Sequence, residues 1–148
     1  MTKGTRKVYP VNDGKTILGM HLMLDAYGVA HKPLDDMKLV FKYLNTLPAM
    51  IGMSILSTPN VVDAEETASK LDPGGISGIV MIAESHISIH TFAKRGFFSM
   101  DLYSCSNFED DVDTVMEYTK KIFPWKKHHL QIVKRGLEYP VHNVEEIK

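Results

Sequence analysis

The side chains that could carry chemistry are concentrated in a short central stretch of the chain. Three serines, two histidines, a glutamate, an aspartate and the only cysteine of the sequence lie there, at Ser77, Glu84, Ser85, His86, Ser88, His90, Asp101 and Cys105. Hydroxyl, thiol and imidazole groups can act as nucleophiles, acids or bases when their neighbours set their protonation state. Three kinds of chemistry can therefore be compared against the spacing of these residues.

A metal site is the first of the three. His86 and His90 are four residues apart, a spacing that chelates zinc when both histidines lie on a helix. Here Ile87 and Ile89 alternate with polar residues, which indicates a β-strand. On a strand, two residues four apart are separated by roughly 13 Å, at about 3.3 Å per residue, so they cannot bind one ion. We therefore predict that this stretch holds no metal.

Hydrolysis and self-cleavage are the other two. A cysteine, a histidine and a nearby aspartate could form a nucleophilic site, but neither serine segment matches the G-x-S-x-G elbow of many hydrolases. In self-cleavage, a serine hydroxyl attacks the carbonyl of the preceding residue, a base removes the serine α-proton, and elimination leaves a chain that begins with a pyruvoyl ketone. This requires a strained peptide, oxyanion donors and a base. Glu84-Ser85 with His90 nearby could supply them, although spacing alone does not choose between the two reactions.

Apolar periodicity predicts the elements that come before this stretch. Residues 16–27 are predicted to form a strand, and residues 33–48 an amphipathic helix that Pro48 ends. A second strand at 50–58 and a polar surface loop at 59–75 follow. The apolar side of the helix has the i, i+3, i+4, i+7 spacing at Met37, Val40, Phe41, Leu44 and Leu47.

The second half of the chain is predicted to be antiparallel sheet followed by one more helix. Residues 76–103 contain three runs of alternating or continuous apolar residues, with a turn at 94–96. A capping-box pattern at 106–109 introduces a helix that ends before Pro124, and 130–133 is a last strand. The order of elements predicts an α+β fold, a two-layer α/β sandwich with both helices on one face of an antiparallel sheet.

Composition bounds the class of protein. The 148 residues carry 17 Lys and Arg against 18 Asp and Glu, well mixed, so no basic stripe for nucleic acid is present. No apolar run approaches the roughly 20 residues of a membrane span, and the start of the chain lacks a signal-peptide core, which predicts a soluble cytoplasmic protein. We predict a lead-in at 1–15, one domain at 16–140 and a tail at 141–148, a size at which an active site could be shared with a second copy.

One long motif resembles a known family. The run GISGIVMIAESHISIHT at 75–91, followed by DLYSC at 101–105, closely resembles the core of the prokaryotic pyruvoyl-dependent S-adenosylmethionine decarboxylases. Gly19-x-His-Leu near the start and Arg135-Gly136 near the end extend the resemblance over most of the chain. It implies an α/β sandwich, an assembly that is usually a homodimer of cleaved protomers, a small-molecule substrate and a place in polyamine (spermidine) biosynthesis.

The resemblance also implies a role for each residue of the motif. Cleavage between Glu84 and Ser85 would convert Ser85 into the pyruvoyl cofactor, with His90 acting in processing and Ser77 stabilising the oxyanion. Cys105 would deliver a proton to the decarboxylated carbon, after the substrate amine has formed a Schiff base with the ketone. In a continuous strand Ser85 and His90 would face opposite sides, so we expect the backbone to kink or break near Ser85.

Two positions that contact the nucleoside of the substrate in the family depart from its pattern. Lys94 stands where the family has a glutamate that holds the ribose of the substrate, and Leu71 where it has a phenylalanine that stacks on the adenine. Cys105 is followed by Ser106 instead of glycine. S-adenosylmethionine remains the first expectation, but arginine or ornithine decarboxylation, or a non-catalytic regulatory role, stay open. For His86, a structural role and a role in the motif both stay open.

Overall fold

An antiparallel sheet forms one layer of the computed structural model, which describes residues 7–64 and 71–146. In this part of the chain seven strands pair in the order β3-β5-β6-β7-β2-β8, and β4 also pairs with β5. A separate two-stranded sheet joins β1 to β9. The strands are β1 (Lys15–Thr16), β2 (Gly19–Tyr27), β3 (Ser54–Ile55), β4 (Asn60–Ala64), β5 (Gly75–Ala83), β6 (Ser85–Phe92), β7 (Phe97–Ser104), β8 (Lys127–Arg135) and β9 (Tyr139–Pro140).

The second layer consists of helices that cover one face of the sheet. They are α1 (His31–Leu34), α2 (Met37–Met50) and α3 (Val112–Ile122). Helices α2 and α3 contact each other, and Tyr43 of α2 lies 2.7 Å from Thr119 of α3 in a buried hydroxyl–hydroxyl hydrogen bond. The predicted two-layer α+β sandwich, with both long helices on one side, is confirmed.

Strict alternation along the strands separates the two faces of the sheet. On β2, Met20, Leu22 and Leu24 are buried under the helices, whereas His21 and Asp25 point the other way. We call this other side the open face, and it carries most of the polar residues of the central strands but not Ser85, which is in register with the buried Ile82 and Ser104. Its residues on the four central strands include Ser77, Ile79, Met81, His86, Ser88, His90, Asp101, Tyr103, His21 and Asp25.

The first helical segment differs from its prediction. The chain turns at Asp35, and α2 begins separately because the Asp36 side chain accepts a hydrogen bond from the Leu39 N–H at 3.0 Å. Pro48 does not end α2, which continues to Met50, since a proline in the last turn removes only one intrahelical bond. The expected apolar side also shifts, because Tyr43 is buried while Met37 and Phe41 are exposed.

Two more boundaries were predicted incorrectly. The strand expected at 50–58 shrinks to β3, and the loop expected at 59–75 contains β4, whose edge pairing with β5 has no signal in the alternation. Residues 65–70 of that loop lie outside the described residues. The capping box at 106–109 does not form: the hydroxyl of Ser106 lies 2.8 Å from that of Ser104, and Asn107 instead accepts from the Glu109 N–H at 2.9 Å.

Candidate active site

The two long central strands β5 and β6 form a tight hairpin, and Ser85 lies immediately after its turn. Ile82 and Ser85 are register partners, so Ala83 and Glu84 make the turn between them. The Ser85 hydroxyl donates a hydrogen bond to the carbonyl oxygen of Glu84, the residue that precedes it. The chain does turn just before Ser85, but β6 then runs unbroken from Ser85 to Phe92, so Ser85 and His90 lie five apart on one strand and face opposite sides. The kink that was expected to bring them to the same side is therefore not present.

Cys105 meets Ser85 at this end of the hairpin. Its Sγ lies 3.5 Å from Ser85 Oγ, and its backbone N–H donates to the carbonyl oxygen of Glu84 at 3.4 Å. The sequence analysis did not predict this backbone N–H of Cys105 as a hydrogen-bond donor. The same carbonyl thus accepts hydrogen bonds from a hydroxyl and from an amide, an arrangement that polarises it toward attack.

A glycine on the neighbouring strand makes room for this arrangement. A Cβ on Gly19 would lie 1.9 Å from the carbonyl oxygen of Ser104 and 2.8 Å from the Cα of Cys105. Only a residue without a side chain lets β2 approach the end of β7 so closely. Gly19 therefore helps to fix the backbone that carries Cys105.

Ser77 and His90 meet at the other end of the same hairpin. They are register partners on β5 and β6, both on the open face, and Ser77 Oγ lies 2.9 Å from His90 Nδ1. His90 is five residues from Ser85 along β6, roughly 16 Å at about 3.3 Å per residue. One chain thus brings together Ser85 with Cys105, and Ser77 with His90, but it keeps the two pairs apart.

A group of rings on the open face surrounds Tyr103, which the sequence analysis did not single out. Its ring centroid lies 6.0 Å from that of His21 and 5.9 Å from that of His86, and the Arg135 guanidinium lies 5.1 Å above it. Burial, followed by a hydrogen bond with Cys105, raises the pKa of Tyr103 above its ordinary value. The sequence feature that could have pointed to Tyr103 is its position near the end of β7, two residues before Cys105.

His21 and Asp101 form a pair beside these rings. His21 Nε2 lies 2.8 Å from Asp101 Oδ1, and both side chains are partly shielded from solvent. His86, left open in the sequence analysis, packs its ring on that of Tyr103, with the ring centroids 5.9 Å apart. Its position supports the structural interpretation of His86.

The two positions that depart from the family pattern lie toward the Ser77–His90 end. Lys94 lines a cavity of about 440 Å³ together with Gly75 and Asp63, just after β6 ends. Leu71 is 88% exposed. A larger cavity of about 810 Å³ lies at the opposite end of the hairpin, where Ala83, Glu84, Ser104 and Ser106 contribute to its wall.

The described part of the chain has neither a cluster of metal-binding side chains nor a membrane-spanning helix. Residues 7–64 and 71–146 contain no group of three or more His, Cys, Asp or Glu side chains arranged to hold a metal ion. Among those same residues, no helix is long and apolar enough to span a membrane.

Comparison with known proteins identifies relatives over most of the chain. The family model described as S-adenosylmethionine decarboxylase matches residues 20–136. Proteins named S-adenosylmethionine decarboxylase proenzyme are 32% identical over 125 residues in Persephonella marina (84% of this chain, 86% of the relative) and 32% identical over 124 residues in Pyrococcus furiosus (82% and 81%). The crystal structure of the adenosylmethionine decarboxylase from Aquifex aeolicus superposes with a TM-score of 0.70 at 26% identity, covering 86% of this chain and 98% of that one.

Proposed function

Because this chain belongs to the S-adenosylmethionine decarboxylase family, we propose that it cuts itself between Glu84 and Ser85 and decarboxylates S-adenosylmethionine with a pyruvoyl group made from Ser85. One observation carries this proposal: the Ser85 hydroxyl contacts the carbonyl of Glu84 at a hairpin turn, with the Cys105 thiol 3.5 Å away. The residues present fit the group, since the serine lies beside the carbonyl it has to attack and a proton donor lies beside the serine.

Self-cleavage follows from chemistry that these residues can perform. Ser85 Oγ bonds to the carbonyl carbon of Glu84, the C–N bond breaks, and the hydroxyl proton passes to the nitrogen, which leaves an ester. A base removes the Ser85 α-proton, and the carboxylate that Glu84 gains as a new C-terminus leaves from the Cβ of residue 85. Water then releases ammonia and leaves the ketone. The Cys105 N–H, 3.4 Å from the Glu84 carbonyl oxygen, is suited to hold the charge that develops there.

His90 and Ser77 are the proposed base and oxyanion donor, and their position supports a shared site. Within one chain they lie too far from Ser85 to act on it, because five strand residues span roughly 16 Å. We infer a homodimer in which the Ser77–His90 pair of one copy acts on Ser85 of the other, which then becomes a homodimer of cleaved protomers. A two-fold interface is self-complementary, so both ends of both hairpins can meet in this way.

The open face has the character that such an interface requires. Ile79 and Met81 project from it and are 44% and 52% exposed, between polar groups that also belong to the site. Neighbouring apolar side chains on a sheet face commonly mark a surface that another molecule covers. A second copy packed on this face would bury them and bring the two pairs of functional residues together.

Turnover uses the same end of the hairpin. The pyruvoyl ketone supplies the electron sink that an amino-acid substrate needs in order to lose carbon dioxide. Cys105 holds the proton that the product carbon requires, within contact distance of Ser85. The cavity of about 810 Å³ beside Glu84 falls within the range of small-molecule sites.

S-adenosylmethionine is the proposed substrate because the relatives with matching length are named for it, which would make the product a precursor for spermidine. A simpler basic amino acid, arginine or ornithine, is the second candidate. The observation behind it is the loss of the family's ribose and adenine contacts, whose positions hold Lys94 and the exposed Leu71. Ser85 and Cys105 are both present, which argues against a non-catalytic regulatory role.

Mass spectrometry of the purified protein tests this proposal. We expect two chains, residues 1–84 and 85–148, the second carrying a ketone that hydroxylamine or borohydride modifies, while Ser85→Ala stays a single chain. Labelled S-adenosylmethionine, arginine and ornithine, supplied separately, should release labelled carbon dioxide mainly from the first. A fully active protein that runs as one unmodified chain would refute the mechanism.

A further inference from the structure

Tyr103 is the residue of the open face that contacts the proposed proton donor. Tyr103 lies near the end of β7, and Cys105 comes directly after the last residue of that strand, Ser104. The Cys105 Sγ lies 4.0 Å from Tyr103 Oη, within reach of a hydrogen bond to sulfur. Among the described residues, the thiol's other side-chain hydrogen-bond contact is with Ser85 Oγ, at 3.5 Å.

The ring of Tyr103 is held in place from several sides. Arg135 lies 5.1 Å above it, and the rings of His21 and His86 pack against it at 6.0 and 5.9 Å. These three residues come from three different strands, β8, β2 and β6. A hydroxyl on a ring fixed in this way has a fixed position relative to the thiol, unlike one on a mobile surface tyrosine.

We propose, resting on the function proposed above, that Tyr103 is a positioning residue for Cys105, its hydroxyl orienting the thiol toward Ser85 and donating a hydrogen bond to the thiolate left after proton delivery. When Cys105 gives up its proton, its sulfur becomes an acceptor, and the phenol can turn its O–H toward it. The guanidinium of Arg135 above the ring favours the negative charge. Because burial raises the pKa of Tyr103, the phenol keeps its proton at neutral pH and remains a donor.

The consequence concerns where the proton goes. A thiol held toward Ser85 protonates the product carbon, and a thiol that rotates freely also protonates the wrong carbon, which consumes the pyruvoyl group by transamination. Tyr103→Phe removes only the hydroxyl and keeps the ring between Arg135 and the two histidines. We expect this variant to raise the number of inactivating events per turnover about tenfold, the size expected for the loss of one hydrogen bond to a charged group.

A second readout is independent of decarboxylation. The chain has a single cysteine, so iodoacetamide reports on Cys105 alone. In an uncleaved Ser85→Ala background, we expect the added Tyr103→Phe change to lower the alkylation rate at neutral pH by about three- to tenfold, because the thiolate loses its donor. Since this protein never forms a pyruvoyl group, the result stands even if the proposed function fails.

Tyr27→Phe is the matched control. Tyr27 lies on the same open face at the far end of β2, where its ring contacts Phe97 and His129. It should leave both readouts unchanged. The proposal is overturned if Tyr103→Phe leaves the alkylation rate at its parent value, or if it slows alkylation without raising the inactivation per turnover. Equal effects of the two variants would also overturn it, since a general loosening of the face would then explain both.

Discussion

The two ends of the β5–β6 hairpin differ in what they hold. At the turn, Ser85 contacts Cys105 and the carbonyl of Glu84, which together offer a nucleophile, an acceptor and a proton. At the end away from the turn, Ser77 and His90 share a hydrogen bond of 2.9 Å and offer a base with a hydroxyl partner. Each end lacks what the other has, and an antiparallel hairpin cannot bring its own ends together. This difference is the reason for proposing that two copies complete one site.

Mixing two inactive variants tests this comparison most severely. Ser85→Ala lacks the nucleophile and His90→Ala lacks the proposed base, so neither should cleave when produced alone. Co-expressed, they form mixed dimers in which Ser85 of one copy meets His90 of the other. We expect the His90→Ala chain, and only that chain, to be cut in these dimers, to at most about half of its total, as intact mass will show.

The control pairs changes at the same end of the hairpin. Ser77→Ala and His90→Ala remove two parts of one pair, so each site of their mixed dimers matches the site of one parent. These mixed dimers should therefore cleave no better than the more active parent. Cleavage in neither mixture would mean that each chain completes its own site and that the shared-site model is wrong.

Cys105→Ala separates the two functions of the turn end. Its thiol is assigned to proton delivery, so turnover should fall by about 10²–10⁴-fold, as expected for the loss of a general acid. Self-cleavage should persist, because the Cys105 contribution to the Glu84 carbonyl is a backbone N–H that alanine retains. Ser88→Ala is the matched control. It removes a hydroxyl from the open face of β6, and it should keep near-normal turnover. Undiminished turnover in Cys105→Ala with a stable ketone would move the proton donor elsewhere.

The sequence predicted the covered face of the sheet better than the site on the open one. Strict alternation in β2, β6 and β7 follows from burial of every second residue, and it assigned those strands correctly. The family motif named Ser85 and Cys105 as partners, but only the register between β6 and β7 brings these residues, twenty apart, into contact. Their separation from Ser77 and His90 was not predicted, because residue roles carried over from a family contain no distances.

The elements that were missed share one physical reason. Strand β4 pairs only at the edge of β5 and buries little, so its sequence has no face to mark by alternation. The start of α2 depends on whether Asp35 or Asp36 caps it, and a single hydrogen bond to the Leu39 N–H decides between them. Ser106 resembled a cap, yet its hydroxyl bonds to Ser104. Local patterns do not specify partners that tertiary structure supplies.

Lys94→Glu asks whether the Ser77–His90 end also binds the substrate. A carboxylate there would accept hydrogen bonds from ribose hydroxyls, each charged bond being worth about 1.5–3 kcal/mol. We expect kcat/KM for S-adenosylmethionine to rise by about tenfold or more, with no gain for arginine. Arg95→Glu makes the same charge change one residue later and should give no comparable rise. An equal response to both would indicate a general electrostatic effect and no contact with the substrate.

The smallest expected effect lies under the sheet, where both ends of the hairpin rest on the same core. Thr119 Oγ1 donates to the Val115 carbonyl at 2.6 Å, and a hydroxyl has one proton, so Tyr43 must be the donor in the 2.7 Å bond between them. Thr119→Val therefore leaves a fully buried phenol O–H without an acceptor, which should lower the free energy of unfolding by about 1–3 kcal/mol. Tyr43→Phe alone should cost less, about 0.5–1.5 kcal/mol, because Thr119 keeps its bond to Val115.

Combining the two changes gives the sharpest form of this prediction. The double variant removes the orphaned donor as well, so it should be no less stable than Thr119→Val, a non-additivity that urea unfolding can measure. Thr114→Val, a partly exposed position on the same helix, should stay within about 0.5 kcal/mol of the parent. All of these variants should still cleave, because the core supports both ends of the hairpin equally. Loss of cleavage in a variant that remains folded would show that the helices take part in the site itself. The covered face could then no longer be described as support alone.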